Sequence, residues 1–124
     1  MSPLDAKGNY VPGDKHRPDA EVASAARTAT GTSAAFDTDG ADSLEATLTV
    51  TAHAGTTPTL DVSLETSIDG GTTWDTVGAF TQIGNANGGD GHVFGPLGDK
   101  CRWKWTIAGT TPSYTFAISP VEAN

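Results

Sequence analysis

Residues 44–52, LEATLTVTA, alternate strictly between apolar and polar side chains. A period of two places the apolar set on one face and the polar set on the other, which is typical of a strand with one buried face. The same alternation recurs in three further stretches: residues 60–68, LDVSLETSI; residues 100–108, KCRWKWTIA; and residues 113–119, SYTFAIS. These four stretches predict the half-buried strands of an all-β domain.

Less regular stretches predict further strands. Residues 74–83, WDTVGAFTQI, contain Gly78, which predicts a bulge, and residues 90–97, DGHVFGPL, predict another strand. The segment between them, GNANGGDG at residues 84–91, is polar and rich in glycine. It is predicted to be a mobile loop.

The start of the domain leaves two alternatives open. Residues 26–36, ARTATGTSAAF, predict a weak hairpin around residues 30–33, whereas residues 20–27 could instead form two helical turns behind Asp19.

One six-residue pattern occurs twice. Residues 54–59, AGTTPT, recur as residues 108–113, AGTTPS, each time between two alternating stretches. Because glycine and proline favour turns, both are predicted to be hairpin loops.

Length and composition agree with these patterns. The chain has 124 residues, with 15 Gly and 3 Trp, and its many threonines favour strands. About seven short strands with frequent turns predict a single antiparallel β-sandwich, Ig-like or jelly-roll-like. We assign this sandwich body to residues 21–124 and an extended N-terminal arm to residues 1–20.

Charge argues against several classes of partner. The net charge is −8, from 15 acidic and 7 basic side chains, and such a chain repels the phosphate backbone of nucleic acids. No apolar run is long enough to span a membrane, and a secretory signal pattern is not seen. A single Cys101 provides neither an internal disulfide nor a thiolate metal cage.

The arm, residues 1–20, contains three prolines and three residues of each charge sign. One hypothesis is a solvated terminus. The other is a tether that lies along another subunit in extended form. The candidate partner-binding residues of such a tether are Leu4, Tyr10, Val11, Lys15 and Arg17.

The most specific local motif is SIDGGTTW at residues 67–74. It resembles the Asp-box of sialidase-type propellers, S-x-D-x-G-x-T-W, which is a structural hairpin. The resemblance implies that Asp69 accepts backbone amides, Gly71 adopts a positive φ and Trp74 packs beneath the turn that begins at Ser67. No sialidase activity follows, because 124 residues are too few for a propeller.

No catalytic, cofactor or metal site is predicted. His16, His53 and His92 lack a second ligand at short spacing, and the acidic turn at residues 37–45 does not match a calcium-binding loop. No carboxylate pair is marked as an acid and a base. Trp103 and Trp105 would form a sugar-binding platform if exposed, but alternating strand residues belong more often to the core.

Residues 44–119 resemble the small all-β structural proteins of tailed double-stranded-DNA phages, of the capsid decoration (cement) type. The resemblance rests on the order of four elements: AGTTPTLDV, the S-x-D-G-x-x-W hairpin, GPLG leading into an aromatic strand, and AGTTPSYTF.

This resemblance implies a non-enzymatic protein that binds the major capsid protein on the outside of the virion and stabilises the head across subunit seams. It also implies synthesis in the cytoplasm of the host bacterium and a homo-oligomer, with a trimer favoured over a dimer. Two alternatives stay open: a tail or head-completion protein of the virion, and a carbohydrate-binding β-sandwich module. The basic stripe of Lys100, Arg102 and Lys104 is either an interface or a solvated face.

Overall fold

The computed structural model describes residues 20–123, with side chains up to Pro120. These residues form seven strands that pair only in the antiparallel sense, within one sheet. Over residues 20–123 there is no helix, so none that could cross a membrane. The strands are β1 Val22–Arg27, β2 Gly31–Thr32, β3 Phe36–Asp37, β4 Leu44–Ser67, β5 Asp75–Ala79, β6 Gly88–Phe94 and β7 Lys100–Ala123.

The all-β prediction is therefore confirmed, and the helical alternative for residues 20–27 is wrong, because this segment contains β1. The predicted arm at residues 1–20 lies outside the described residues except for Ala20. Ala20 itself is buried.

Two strands of 24 residues, β4 and β7, dominate the sheet. They pair along their whole length, from Leu44 opposite Ala123 to Ser67 opposite Lys100. The stretches predicted as separate strands at residues 44–52 and 60–68 are thus two parts of β4. In the same way, β7 unites residues 100–108 and 113–119.

The prediction that the two AGTTP segments are hairpin loops is wrong. Residues 54–58 lie within β4 and residues 108–112 within β7, and the two segments pair with each other through Thr56 and Thr110. The pairing register shifts on both sides of Thr56, so each strand bends there without reversing. We call these two segments together the bend.

Steric contact explains the glycines of the bend. A Cβ atom on Gly55 would lie 2.8 Å from the Thr111 carbonyl oxygen, and one on Gly109 would lie 2.9 Å from the Pro58 Cα. Both glycines also have a positive φ, 110° and 122°, which residues with a Cβ adopt at a cost. The two segments therefore approach each other closely only because both carry glycine at this point.

The short strands flank the long ones. Strands β1, β2 and β3 pair in turn with β7, while β5 and β6 pair with β4. The hairpin around residues 30–33 is therefore not formed, because β1 and β2 pair with β7 instead of with each other. Residues 88–91 belong to β6, so the predicted loop at residues 84–91 is wrong for its second part. The bulge predicted at Gly78 is confirmed by a register shift between Gly78 and Thr76.

The sheet divides into two equivalent halves. The first half is residues 20–67 and the second half is residues 75–123. A pair such as His53 with Tyr114 in β4 and β7 has its counterpart in Leu60 with Ile107. Extended by one residue on each side, the repeated pattern at residues 54–59 and 108–113 relates His53 to Ile107 and Leu60 to Tyr114. The ladder is thus symmetric about the pair of Thr56 and Thr110.

The apolar faces of the long strands form the core. Ring contacts connect residues on the two sides of the bend: the ring centroids of Trp105 and Phe116 lie 5.6 Å apart, and those of Phe94 and Trp103 lie 5.4 Å apart. The largest side chains with less than 2% exposure include Trp103, Tyr114, Phe94, Phe116, Leu44, Leu48, Leu60, Leu64 and Ile118.

Candidate functional site

The five predicted arm residues, Leu4, Tyr10, Val11, Lys15 and Arg17, lie outside the described residues. Their role as a tether stays a prediction. The candidate surfaces below belong to residues 20–120.

The basic stripe is largely paired within the chain. Lys100 Nζ lies 2.7 Å from Asp37 Oδ1, and Arg102 Nε lies 2.9 Å from Glu65 Oε1. The Lys100 ammonium donates to Asp37, which lowers the pKa of this carboxyl and raises the pKa of the lysine. Lys104 is exposed. Of the three residues of the stripe, only Lys104 takes no part in these two ion pairs. This pairing argues against the interpretation of the stripe as an interface.

Arg102 has a second contact. Its guanidinium carbon lies 4.4 Å from the centre of the Trp74 ring, within the range of cation–π attraction. The partner Glu65 is only 8% exposed. Sequence reasoning missed Glu65 and Asp37 as partners, because their proximity depends on the register between β4, β3 and β7.

The Asp-box hairpin has the geometry that the resemblance implied. Asp69 Oδ1 accepts from the backbone N–H groups of Thr72 and Thr73, at 3.1 and 2.9 Å, and Asp69 Oδ2 accepts from the Thr73 hydroxyl at 2.6 Å. The Ser67 hydroxyl donates to Asp69 at 2.6 Å. These hydrogen bonds, first those from Ser67 and Thr73, lower the pKa of Asp69 strongly.

The turn residues of this hairpin also match the motif. Gly70 and Gly71 have positive φ values of 74° and 101°. Trp74 is half-buried, and its ring lies 3.5 Å from the place of a Cβ on Gly71. The arrangement closes a turn and offers no group for chemistry, so its role is structural.

The tryptophans do not form a sugar-binding platform. Trp103 is fully buried, and its Nε1 donates to the Ala20 carbonyl at 2.8 Å. Trp105 is 9% exposed and is covered by Arg27, whose guanidinium carbon lies 5.1 Å from the ring centre. Trp74 lies beneath Arg102. An open indole face for stacking against a sugar ring is therefore lacking at all three positions.

The remaining candidate side chains have structural partners. His53 Nδ1 lies 2.7 Å from Asn87 Oδ1, and the His92 ring lies 4.6 Å from the Phe94 ring. His16 lies outside the described residues. Cys101 is buried, and desolvation raises the pKa of its thiol, so the reactive thiolate form is disfavoured.

An acidic depression lies where residues 37–42 meet residues 97–99. It contains Asp37, Asp39, Asp42 and Asp99, and the Thr38 hydroxyl closes its floor by donating to the Gly98 carbonyl at 2.7 Å. Within the part of the chain that the structure describes, no three His, Cys, Asp or Glu side chains are arranged to hold a metal ion.

Charge is distributed unevenly along the sheet. Residues 46–60 of β4 and residues 105–121 of β7 contain no charged side chain, nor do the flanking residues 28–35 and 82–89. These segments surround the bend, because Gly31 pairs with Trp105 and Gly88 with Val50. Arg27 borders these segments, because it pairs with Tyr114 and its guanidinium donates to the Phe116 carbonyl. Since the segments themselves contain no Asp, Glu, Lys or Arg, we call this region the uncharged end.

The two outer ends of the long ladder carry most carboxylates. Glu45 lies near the end where Leu44 faces Ala123, and Asp37 and Glu65 lie near the end where Ser67 faces Lys100. The ring of Phe94, opposite Leu44, lies 5.4 Å from the ring of Trp103, opposite Leu64, so these two outer ends lie close together. We call them together the acidic end.

The uncharged end is exposed and built from small residues. Ala54, Thr56 and Thr57 are exposed in β4, as are their counterparts Ala108, Thr110 and Thr111 in β7. The sequence signal was present as two charge-free stretches, but only the ladder shows that they lie side by side.

Comparison of the sequence with protein-family models finds no matching family, and comparison with curated proteins finds no matching relative.

Proposed function

We propose that this protein is a non-enzymatic decoration protein of a tailed-phage capsid, which binds the outer surface of the major capsid protein lattice and stabilises the head across subunit seams. The observation that carries this proposal is the separation of an uncharged end from an acidic end. A chain with a net charge of −8 docks on another protein at the lowest electrostatic cost through a face without carboxylates. The acidic end then stays in water.

The order of motifs supports the same function. The two AGTTP segments, the Asp-box hairpin and the GPLG segment occur in an order that resembles the small all-β structural proteins of tailed phages. The structure adds that both AGTTP segments lie at the uncharged end. Two of the four elements that carry the resemblance therefore lie at the candidate docking face.

Repetition on a lattice would make a modest docking face sufficient. Exposed alanines and threonines provide few strong contacts per copy. Many copies on one particle nevertheless add up to a large stabilisation of the shell. In this proposal the arm, residues 1–20, reaches across a neighbouring subunit and supplies the remaining contacts.

The proposal also includes the finer fold assignment. The parts of the sheet on the two sides of the bend would be the two layers of a β-sandwich. The contacts of Trp105 with Phe116 and of Phe94 with Trp103, which join residues across the bend, support this assignment.

Sedimentation with undecorated phage capsids tests the function. The purified protein is mixed with capsids, the particles are pelleted, and bound copies are counted by gel densitometry. We expect saturable binding of hundreds of copies per particle. Saturation at a few copies would favour the alternative of a tail or head-completion protein, and an absence of binding would contradict the proposal.

Two matched substitutions test the docking face. Ala54→Glu places a carboxylate at the uncharged end, whereas Ala79→Glu places one at an exposed position of β5, opposite Ser63 and outside that region. We expect Ala54→Glu to weaken capsid binding at least tenfold and Ala79→Glu to retain it. Equal binding by both variants would exclude the uncharged end as the docking face.

Deletion of residues 2–19, which keeps the buried Ala20 and its hydrogen bond with Trp103, tests the arm separately. We expect loss of capsid binding with an unchanged circular dichroism spectrum. Retained binding would remove the arm from the proposal and leave the uncharged end as its basis.

The carbohydrate-binding alternative loses its structural basis. That hypothesis requires at least one exposed indole face, and the structure places Trp103 and Trp105 in the core and Trp74 beneath Arg102.

A further inference from the structure

Every strand pairing within residues 20–123 joins the first half to the second half. Strands β1, β2 and β3 pair with β7, and β4 pairs with β5, β6 and β7. The bridge between Leu60 and Ile83 also joins the halves. Neither half therefore contains a sheet of its own, and each half completes the other.

A single short connection links the halves. Residues 68–74 form the Asp-box hairpin, which leaves β4 at Ser67 and enters β5 at Asp75. The connection lies at the surface: Ile68 is 81% exposed, and a Cβ on Gly70 would meet no atom within 4 Å. Its closed shape depends mainly on Asp69 and on the two positive-φ glycines.

We propose that a second copy of this chain is a partner that can replace one half, so that two chains exchange halves about the hinge at residues 68–74. In the exchanged dimer, the first half of each chain pairs with the second half of the other. All ladder hydrogen bonds and all core contacts between the halves are kept, and only the hinge changes from closed to extended.

The closed single chain and the exchanged dimer contain the same contacts between the halves, and this determines the equilibrium between them. Since the interface between the halves is the same in both, the hinge and the protein concentration decide which form is populated. Asp69 stabilises the closed hinge by accepting the Thr72 and Thr73 amides. The Asp-box hairpin therefore acts as a latch that favours pairing within one chain.

Shortening the hinge provides the test. Deletion of Gly70 and Gly71 removes the two residues whose positive φ values reverse the chain, so the latch no longer closes. The matched control is deletion of Asn85 and Ala86, which removes two exposed residues from the connection between β5 and β6 within the second half. Both deletions are made in the full-length protein.

A cross-link distinguishes exchanged halves from an ordinary dimer. Thr49 in β4 lies opposite Ala117 in β7, so cysteines at these two positions link the two halves. Thr49→Cys and Ala117→Cys are introduced together into each chain, which is refolded under reducing conditions and then oxidised. The disulfide forms within one chain in the closed form and between two chains in the exchanged form.

For the hinge deletion we expect a twofold increase in the molar mass measured by light scattering, with the cross-link between chains on a non-reducing gel. For the control deletion we expect the cross-link within one chain. A hinge deletion that stays cross-linked within one chain would overturn the proposal, and so would cross-links between chains in both deletions.

If the protein with the hinge deletion does not fold, refolding of the chain without a deletion tests the exchange of halves. The chain with the two cysteines is refolded at increasing protein concentrations before oxidation. We expect the fraction that is cross-linked between chains to rise with concentration, and to rise further when Asp69→Ala is added. Cross-linking within one chain at every concentration, with and without Asp69→Ala, would overturn the proposal.

Discussion

Gly55 lies directly against Pro112: a Cβ atom on Gly55 would be 2.9 Å from the Pro112 Cα. The equivalent contact between Gly109 and Pro58 has the same distance. The two long strands thus approach each other closely at two glycine–proline contacts, which are related by the symmetry of the ladder. The bend depends on the absence of a side chain at both glycines.

We therefore expect Gly55→Ala and Gly109→Ala to destabilise the fold by similar amounts, about 2–4 kcal/mol each, from steric overlap and backbone strain. The control is Gly40→Ala. Gly40 also has a positive φ, 79°, but a Cβ there would meet no atom within 4 Å. We therefore expect Gly40→Ala to lower the free energy of unfolding by only about 1 kcal/mol. Urea unfolding measures the three values, and equal values for Gly40 and Gly55 would contradict the steric explanation.

Thr57 and Thr111 have φ values of 45° and 46°, which are unfavourable for β-branched residues. Each hydroxyl donates to the preceding carbonyl at 2.8 Å, which compensates in part. We expect Thr57→Asn to raise the free energy of unfolding by about 0.5–1 kcal/mol, because asparagine tolerates this conformation better. The control is Thr56→Asn, one residue earlier, because the φ of Thr56 is not positive. An increase in the free energy of unfolding for Thr56→Asn but not for Thr57→Asn would contradict the strain argument.

Asp69 makes stability depend on pH. Its folded-state pKa is lowered by the hydrogen bonds from Ser67, Thr73 and Thr72, so the ionised carboxylate stabilises the fold above its unfolded pKa of about 3.9. This stabilisation is lost as the pH falls through the acid range towards the folded-state pKa. We expect Asp69→Asn to lower the melting temperature at pH 7, with a smaller difference from the unsubstituted protein at pH 3.

The control for Asp69 is Asp75→Asn, which removes a carboxylate from an exposed position of the neighbouring strand. Its effect on the melting temperature is expected to be smaller at pH 7. A difference between Asp69→Asn and the unsubstituted protein that is constant from pH 7 to pH 3 would show that ionisation of Asp69 is not the cause.

The ion pair of Arg102 and Glu65 is more buried than that of Lys100 and Asp37. Removing Arg102 leaves the largely buried Glu65 carboxylate without its partner. We therefore expect Arg102→Met to lower the free energy of unfolding by roughly 2 kcal/mol, which lies between the costs of breaking an exposed and a buried ion pair. The double variant Arg102→Met with Glu65→Met is expected to recover most of this cost. A double-mutant cycle by urea unfolding measures the coupling, and strict additivity would contradict it.

Trp103 provides a spectroscopic check of the core. Because this indole is fully buried and donates to the Ala20 carbonyl, a variant with Trp74→Phe and Trp105→Phe is expected to emit at short wavelength and to resist quenching by acrylamide. Addition of oligosaccharides to the unsubstituted protein is expected to leave its emission unchanged. A spectral shift with a sugar would revive the carbohydrate-binding hypothesis.

Local patterns predicted the strands well, because alternation reports directly which side chains are buried. Leu48 and Val50 in β4 and Trp103 in β7 lie on the buried face that the period of two assigned to them. The Asp-box hairpin was also predictable, since the hydrogen bonds of its Ser67 and Asp69 side chains lie within residues 67–73.

The continuity of β4 and β7 was not predictable from local signals. Glycine and proline in residues 54–58 indicate an interruption, but they do not say whether the chain reverses or bends. That choice depends on the pairing of Thr56 with Thr110, which lies far away in the sequence. The uncharged end was hidden for the same reason, because it is assembled from four separate segments.

The interleaving of the halves also determines when the protein can fold during synthesis. Strand β4 has no partner until residues beyond 75 are made, and β1 waits for residues 114–118. A nascent chain that has emerged only as far as Ser67 therefore carries an apolar strand face and unpaired backbone groups. Such long-range pairing slows folding and exposes the growing chain to aggregation. Ribosome-bound chains of this protein should therefore depend on chaperones until nearly all of the sequence has emerged.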